Sequence, residues 1–291
     1  MPTNDPRPSK AQRRDDARVK ALQLKQEQAK REKRNRIVAI SGLVAALAVL
    51  AVVIAMIMSQ QSDSSTASEA AYTGDPVTLS EVKEPSTAQP SNGGIPVASE
   101  DVAGTTADGG TVVDVYLDYM CPVCGTFEEA NAHQLEELRA SGDVTVVYHP
   151  ISILDRASNG TAFSTRAANA AAAVADLAPD KFLAFNDAMF ANQPEEGTGG
   201  LSDEQIAEIA REAGVPDDVI AVFTETDGDN PWRVYAPYVS ALTQQAGDDL
   251  EAAGTNLATP TIVIDGKPLD TSVYDWRIDG KLIEAVEAAK S

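Results

Sequence analysis

Cysteine and histidine are scarce in this 291-residue chain, which has two of each. Because Cys121 and Cys124 are the whole supply of thiols, no third cysteine can scramble a disulfide between them. Basic residues are also scarce after the first few turns of sequence. Residues 1–36 carry 12 Lys/Arg against 5 Asp/Glu, a balance of +7, whereas residues 37–291 carry 11 against 39, a balance of −28. An acidic remainder of that size lacks the cationic surface that phosphate contacts require, which excludes nucleic acid as a partner. Its charge instead favours solubility and distance from anionic surfaces. Internal repeats are absent, as are linker heptads that could supply a dimerisation device, so a monomer is the expectation.

Charge of either sign is missing from Ile37 to Met58. At about 1.5 Å per residue these 22 residues form a helix of roughly 33 Å, enough to cross a hydrocarbon core of about 30 Å. A cleaved leader would have an apolar stretch of about 7–15 residues and a small-residue cleavage site. Ser59-Gln60-Gln61-Ser62-Asp63 offers no such site, and no cysteine follows the span to carry a lipid. The basic block before the span stays on the cytoplasmic side, which makes this a single-pass anchor with residues 59–291 outside the cytoplasm. The block could meet anionic lipid headgroups, but setting orientation is role enough for it.

Large apolar residues are few between residues 59 and 94, so that stretch reads as a disordered linker. From Ile95 onward about 197 residues remain, enough for one α/β domain. Thr111–Leu117 and Val144–Tyr148 have the β-branched, apolar character of buried strands, with a helical segment between them, a unit that predicts a parallel pair. An alanine-rich stretch from about 157 to 253 predicts helices. Within it Ser202 and Gln205 fit a capping box, and Phe182, Phe185, Met189 and Phe190 form a stripe that reads as core. Asp265-Gly266 predicts a hairpin with Pro268 on an edge strand, and a last helix begins near Asp279.

Cys121-Pro122-Val123-Cys124 follows the first of these strands directly. A thiolate attacks disulfides and a thiol does not, so a redox cysteine needs a value below the usual one of about 8.5. Placing Cys121 just ahead of a helix supplies this, through free N–H groups and the positive end of the helix dipole. Pro122 suits the first helical position, and Cys124 falls on the same face within bridging distance. On this geometry Cys121 is the exposed, exchanging sulfur and Cys124 the more buried, resolving one. No metal or organic cofactor is required. A static disulfide would gain little from so short a loop. Zinc held by Cys121, Cys124, His133 and His149 fits poorly, because the two histidines are too far apart in sequence, so each reads as a surface or partly buried side chain. Asp118 is a candidate for moving protons to or from Cys124, beside the plainer reading of a hydrogen-bonded strand-end carboxylate.

The run Leu117-Asp118-Tyr119-Met120-Cys121-Pro122-Val123-Cys124 after a strand, the helical stretch, and the late Thr259-Pro260 before a hairpin resemble the DsbA-type branch of thioredoxin-like proteins over residues 95–291. The resemblance implies an α/β thioredoxin-like fold interrupted by a helical insertion; the single transmembrane helix read from the uncharged run precedes it. The resemblance also implies a cis Pro260 packed beside the dithiol, and a Thr259 whose backbone holds an extended polypeptide against Cys121. Where a histidine often stands in the strongest oxidants, this chain has Val123, which offers the thiolate neither charge nor hydrogen bond.

The resulting expectation is a bacterial, envelope-facing thiol:disulfide oxidoreductase that donates its disulfide to exported polypeptides carrying thiols and is recycled by a membrane redox partner. A disulfide reductase or isomerase of the same fold, and a non-catalytic anchored chaperone or binding module, remain open.

Overall fold

The structure is a computed structural model that describes residues 70–290. The basic block 1–36 and the expected span 37–58 lie outside the described residues, and among those described no helix is long and apolar enough to cross a membrane. Strand β1 is Ile95–Val97, β2 is Thr111–Leu117 and β3 is Val144–Pro150, with helix α1, Pro122–Ala140, crossing from β2 to β3. Because β2 and β3 are buried along almost their whole length, both are built mainly of β-branched and aromatic residues, and their polar members Asp114, Thr145 and His149 are buried too. They pair in parallel, Val113 opposite Val146 and Val115 opposite Tyr148.

Strand β4, Thr261–Ile264, runs antiparallel on the other side of β2, and the two-residue β5, Lys267–Pro268, turns back on it through Asp265-Gly266. β1 pairs antiparallel with β3, so the order is β1-β3-β2-β4-β5. Each edge strand is short and each contains a proline, Pro96 or Pro268. A last helix, Lys281–Ala289, covers the sheet with Leu282 and Val286 buried against it.

Between β3 and β4 lie five helices: α2 (Phe163–Leu177), α3 (Phe182–Ala191), α4 (Asp203–Glu212), α5 (Asp217–Val222) and α6 (Ala236–Ala252). The final helix is therefore α7. Helix α2 is the hub, because its run Ala170–Ala173 is fully buried and small side chains let α3, α4, α5 and α6 pack around it. Phe182, Phe185, Met189 and Phe190 point inward from α3, each contributing roughly 1.5–3 kcal/mol of apolar burial. Helix α4 starts with the capping box that the sequence shows, the Ser202 hydroxyl accepting from Gln205 N and Gln205 Oε1 from Ser202 N. Next to it, Asp203 accepts from the buried guanidiniums of Arg166 (2.9 Å) and Arg233 (3.1 Å).

Residues 70–94 differ from the disordered linker expected there. Leu79, in a one-turn 3-10 helix at Leu79–Glu81, is buried against α6. Ser86 N donates to Asp176 Oδ1 at 2.7 Å and Thr87 Oγ1 to Ala175 O at 3.1 Å. A segment so poor in large apolar residues cannot fold by itself, but docking on a finished helical surface removes that requirement. The ordered domain thus begins ahead of Ile95.

Candidate functional site

The chain leaves the end of β2 through Asp118-Tyr119-Met120 and turns into α1 at Cys121. The turn is closed by Cys121 N donating to Asp118 O at 2.9 Å. Cys121 is the N-cap, in extended conformation, and Pro122 occupies the first helical turn, where its missing N–H costs nothing. Cys124 follows one turn on and is fully buried. Both cysteines are free thiols. Val123 points outward, 44% exposed.

Across from α1, the Thr259–Pro260 peptide is cis and leads into β4, and the Thr259 carbonyl accepts from Cys121 Sγ at 3.2 Å. The two ends of the sequence motif, 138 residues apart, therefore meet at one sulfur. This contact, together with the enclosing turn, leaves Cys121 only 5% exposed, so the more open cysteine is less open than the sequence reading expects. The order of burial, Cys124 deeper than Cys121, is as expected.

The electrostatics separate the two thiols. Cys121 is lowered to about 6, first by the hydrogen bond from Cys124 and then, against the opposing effect of burial, by the Thr259 side chain and the N–H groups of Cys124 and Val123. The Thr259 carbonyl favours the protonated thiol, but the donors favour the thiolate and outweigh it. Burial pushes Cys124 well above its ordinary value, and the neighbouring Cys121 pushes it the same way. One sulfur is thus an anion near neutrality and its partner a held thiol.

Residues 102–282, more than half of the chain, match the sequence profile of the family described as Thioredoxin. The chain belongs to that family. Two solved structures share the fold of this thioredoxin-family chain. The first is the MdbA protein of Corynebacterium diphtheriae, a thiol-disulfide oxidoreductase, at 22% identity and a TM-score of 0.50 over 67% of this chain and 93% of that one. The second is the oxidised BdbD of Bacillus subtilis, at 18% identity and a TM-score of 0.51 over 74% and 98%. Among curated relatives, the serine/threonine-protein kinase PknE of Mycobacterium tuberculosis is 31% identical over 108 residues, 36% of this chain and 19% of the kinase. The match therefore spans about a fifth of the length of that relative.

Asp118 in this thioredoxin-family chain is fully buried, and burial pushes its carboxyl up to about 7. Its Oδ1 accepts from Met120 N (2.8 Å) and the Ser164 hydroxyl (2.7 Å), and its Oδ2 from Leu154 N (2.9 Å). Those contacts tie the end of β2 to α2 and to the loop after β3, whereas Cys124 is reached by the Asp118 backbone amide. Through these contacts the carboxyl braces the turn. His133 and His149 stand apart from the dithiol. His133 is on the surface beside Asp279 at 3.0 Å, while His149, expected to be surface or partly buried, is wholly buried under Tyr116 with Nε2 2.8 Å from Asp114.

Sequence reasoning missed the supports that reach the turn from the helical insertion. The Tyr119 hydroxyl donates to Asn186 Oδ1 at 3.0 Å, and its ring packs on Phe190. Gln193 Nε2 donates to the carbonyls of Tyr119 (3.0 Å) and Cys121 (2.8 Å). A cleft of about 650 Å³ opens beside Pro122 and Gly125 between α1 and α3, with Glu128, Asp187 and Phe190 in its walls. Burial pushes Glu128 up to about 7 against the hydrogen bond from Asn186. Neither Asn186 nor Gln193 belongs to a local pattern that a sequence displays.

Proposed function

We propose that this chain is a membrane-anchored, extracytoplasmic thiol:disulfide oxidoreductase that donates the Cys121–Cys124 disulfide to exported polypeptides. The observation that carries the reading is the divergence of the two thiols at a helix N-terminus facing Thr259-Pro260, one lowered to about 6 and the other raised. A substrate thiolate attacks Cys121 Sγ, the Cys121–Cys124 bond breaks, and Cys124 leaves as a thiolate that takes up a proton. A second substrate thiolate then attacks the substrate sulfur of the mixed disulfide and expels Cys121. The substrate loses two electrons and the protein dithiol gains them. Since a leaving thiol departs faster when its value is low, the Cys121 thiolate is suited to the second step.

Thr259 presents its backbone, and Pro260 the surface next to it, to an extended polypeptide, in the manner of an added strand. Pro122 fixes the helix start, and Val123 itself adds no side-chain donor to the thiolate. Recycling calls for a membrane redox partner on the same side as the domain; no cofactor is needed, and the chain acts as a monomer.

The test is the equilibrium reduction potential of the full chain in glutathione buffers, read by thiol alkylation. A potential near about −120 to −150 mV fits a disulfide donor, and one near about −250 mV assigns the chain to reduction instead. Val123 favours that second reading, because it withholds the stabilisation that a polar residue would give the reduced form. Failure of the pair to close at all, with unfolded clients still protected by Cys121→Ala, would leave a non-catalytic binding module.

A further inference from the structure

Gln193 lies in the turn after α3. We propose that Gln193 is a positioning residue for the dithiol, holding the Cys121 backbone at the start of α1 so that the sulfur faces the helix N–H groups. The inference rests on the exchange activity proposed above and adds to it a control exerted by the helical insertion.

Both protons of the Gln193 carboxamide are used, one on Tyr119 O at 3.0 Å and one on Cys121 O at 2.8 Å. The Cys121 carbonyl is also the acceptor for Cys124 N (3.0 Å) and Gly125 N (3.3 Å), the first bonds of α1. Gln193 therefore grips the chain at the peptide where extended backbone becomes helix, and the direction of the Cys121 side chain is decided there. The other links from α3, Asn186 and Phe190, hold the Tyr119 side chain and leave the Cys121 backbone alone.

A second observation points the same way. A glycine inside a helix weakens it relative to alanine, yet Gly125 stands in the first turn of α1. A Cβ built there would collide with Gln193 Oε1. The missing side chain is what lets the carboxamide lie against the helix and reach both carbonyls.

Gln193→Met keeps the length of the side chain and removes both donors, and it is to be measured in the full chain. Three quantities are followed: the pH midpoint of Cys121 alkylation, the rate of exchange with a dithiol peptide at pH 6, and the thermal midpoint. The expected result is a rise of about half to one pH unit from a wild-type midpoint near 6 and an exchange rate at pH 6 lowered about two- to fivefold, the weight of one hydrogen bond. A tie that only fastened the insertion to the sheet would lower the thermal midpoint and leave the alkylation midpoint where it was. Gly125→Ala displaces the carboxamide with Gln193 intact, and is expected to move alkylation and exchange in the same direction although alanine favours the helix. It carries the test alone if Gln193→Met does not fold. Wild-type midpoints in both variants, with the wild type itself active, overturn the role of Gln193. A wild type that neither exchanges nor titrates below about 8.5 removes the exchange reading, and the positioning role with it.

Discussion

Replacing Cys124 with alanine isolates the largest force on the Cys121 thiolate. In the structure the Cys124 thiol heads the groups that hold Cys121 at about 6, ahead of the Thr259 side chain and the helix N–H groups. A hydrogen bond to a charged acceptor is worth about 1.5–3 kcal/mol, and one pH unit corresponds to about 1.36 kcal/mol. Losing it raises the Cys121 midpoint by about one to two units, to about 7–8. At pH 7 the thiolate fraction then falls from about nine-tenths to between about a tenth and a half. Alkylation of the reduced protein by iodoacetamide, followed by mass spectrometry from pH 4 to 10, should slow about two- to ninefold at pH 7 and be unchanged above about pH 9. Cys124→Ser keeps a donor and should titrate closer to the wild type. A Cys124→Ala midpoint that stayed at about 6 would refute the assignment and leave the Thr259 side chain and the helix N–H groups as the cause. A wild-type midpoint near about 8.5 would refute the depression itself.

Two further outcomes test the frame around the dithiol. The Asp118 carboxyl is raised in the folded state from 3.8 to about 7, so the native protein binds the extra proton between those values and this group's contribution to stability is lost as pH rises through that window. Asp118→Asn removes the dependence; urea unfolding at pH 4 and pH 8 should show the wild type losing ground to the variant by at most about 4 kcal/mol, and parallel curves would sink the argument. Asp203→Ala strands the buried guanidiniums of Arg166 and Arg233 without their carboxylate. The expected loss is about 3 kcal/mol of unfolding free energy, and a loss below about 1 kcal/mol would mean that solvent reaches both arginines.

What the sequence makes legible here is local. Pro122 at the first helical position, Ser202 with Gln205 at the start of α4, and Asp265-Gly266 between β4 and β5 are each decided by a few adjacent residues, and each stands where the sequence puts it. The inward stripe of α3 is legible for the same reason, since its period is that of the helix. Strand β1 was not, because three residues with a central Pro96 carry no period and their pairing with β3 spans about fifty positions. The docking of residues 79–87 on α2 and α6, the buried His149–Asp114 pair, and the reach of Gln193 to Cys121 depend on partners at least 35 positions away, which no window of sequence encloses. Thr259-Pro260 was found through resemblance, and the geometry then places its carbonyl on Cys121.

The two prolines at the margins of the sheet bear on a hazard that the proposed clients would bring. An unfolded chain offers unpaired backbone, and an open sheet edge is a template on which such chains add as strands and accumulate. Here β1 offers three residues interrupted by Pro96 and β5 offers two ending in Pro268, so neither margin can extend a continuous ladder. Under the proposed function, backbone pairing with a client is thereby confined to the short stretch before Pro260, next to Cys121. A domain with the proposed clients thereby avoids becoming the seed on which they aggregate.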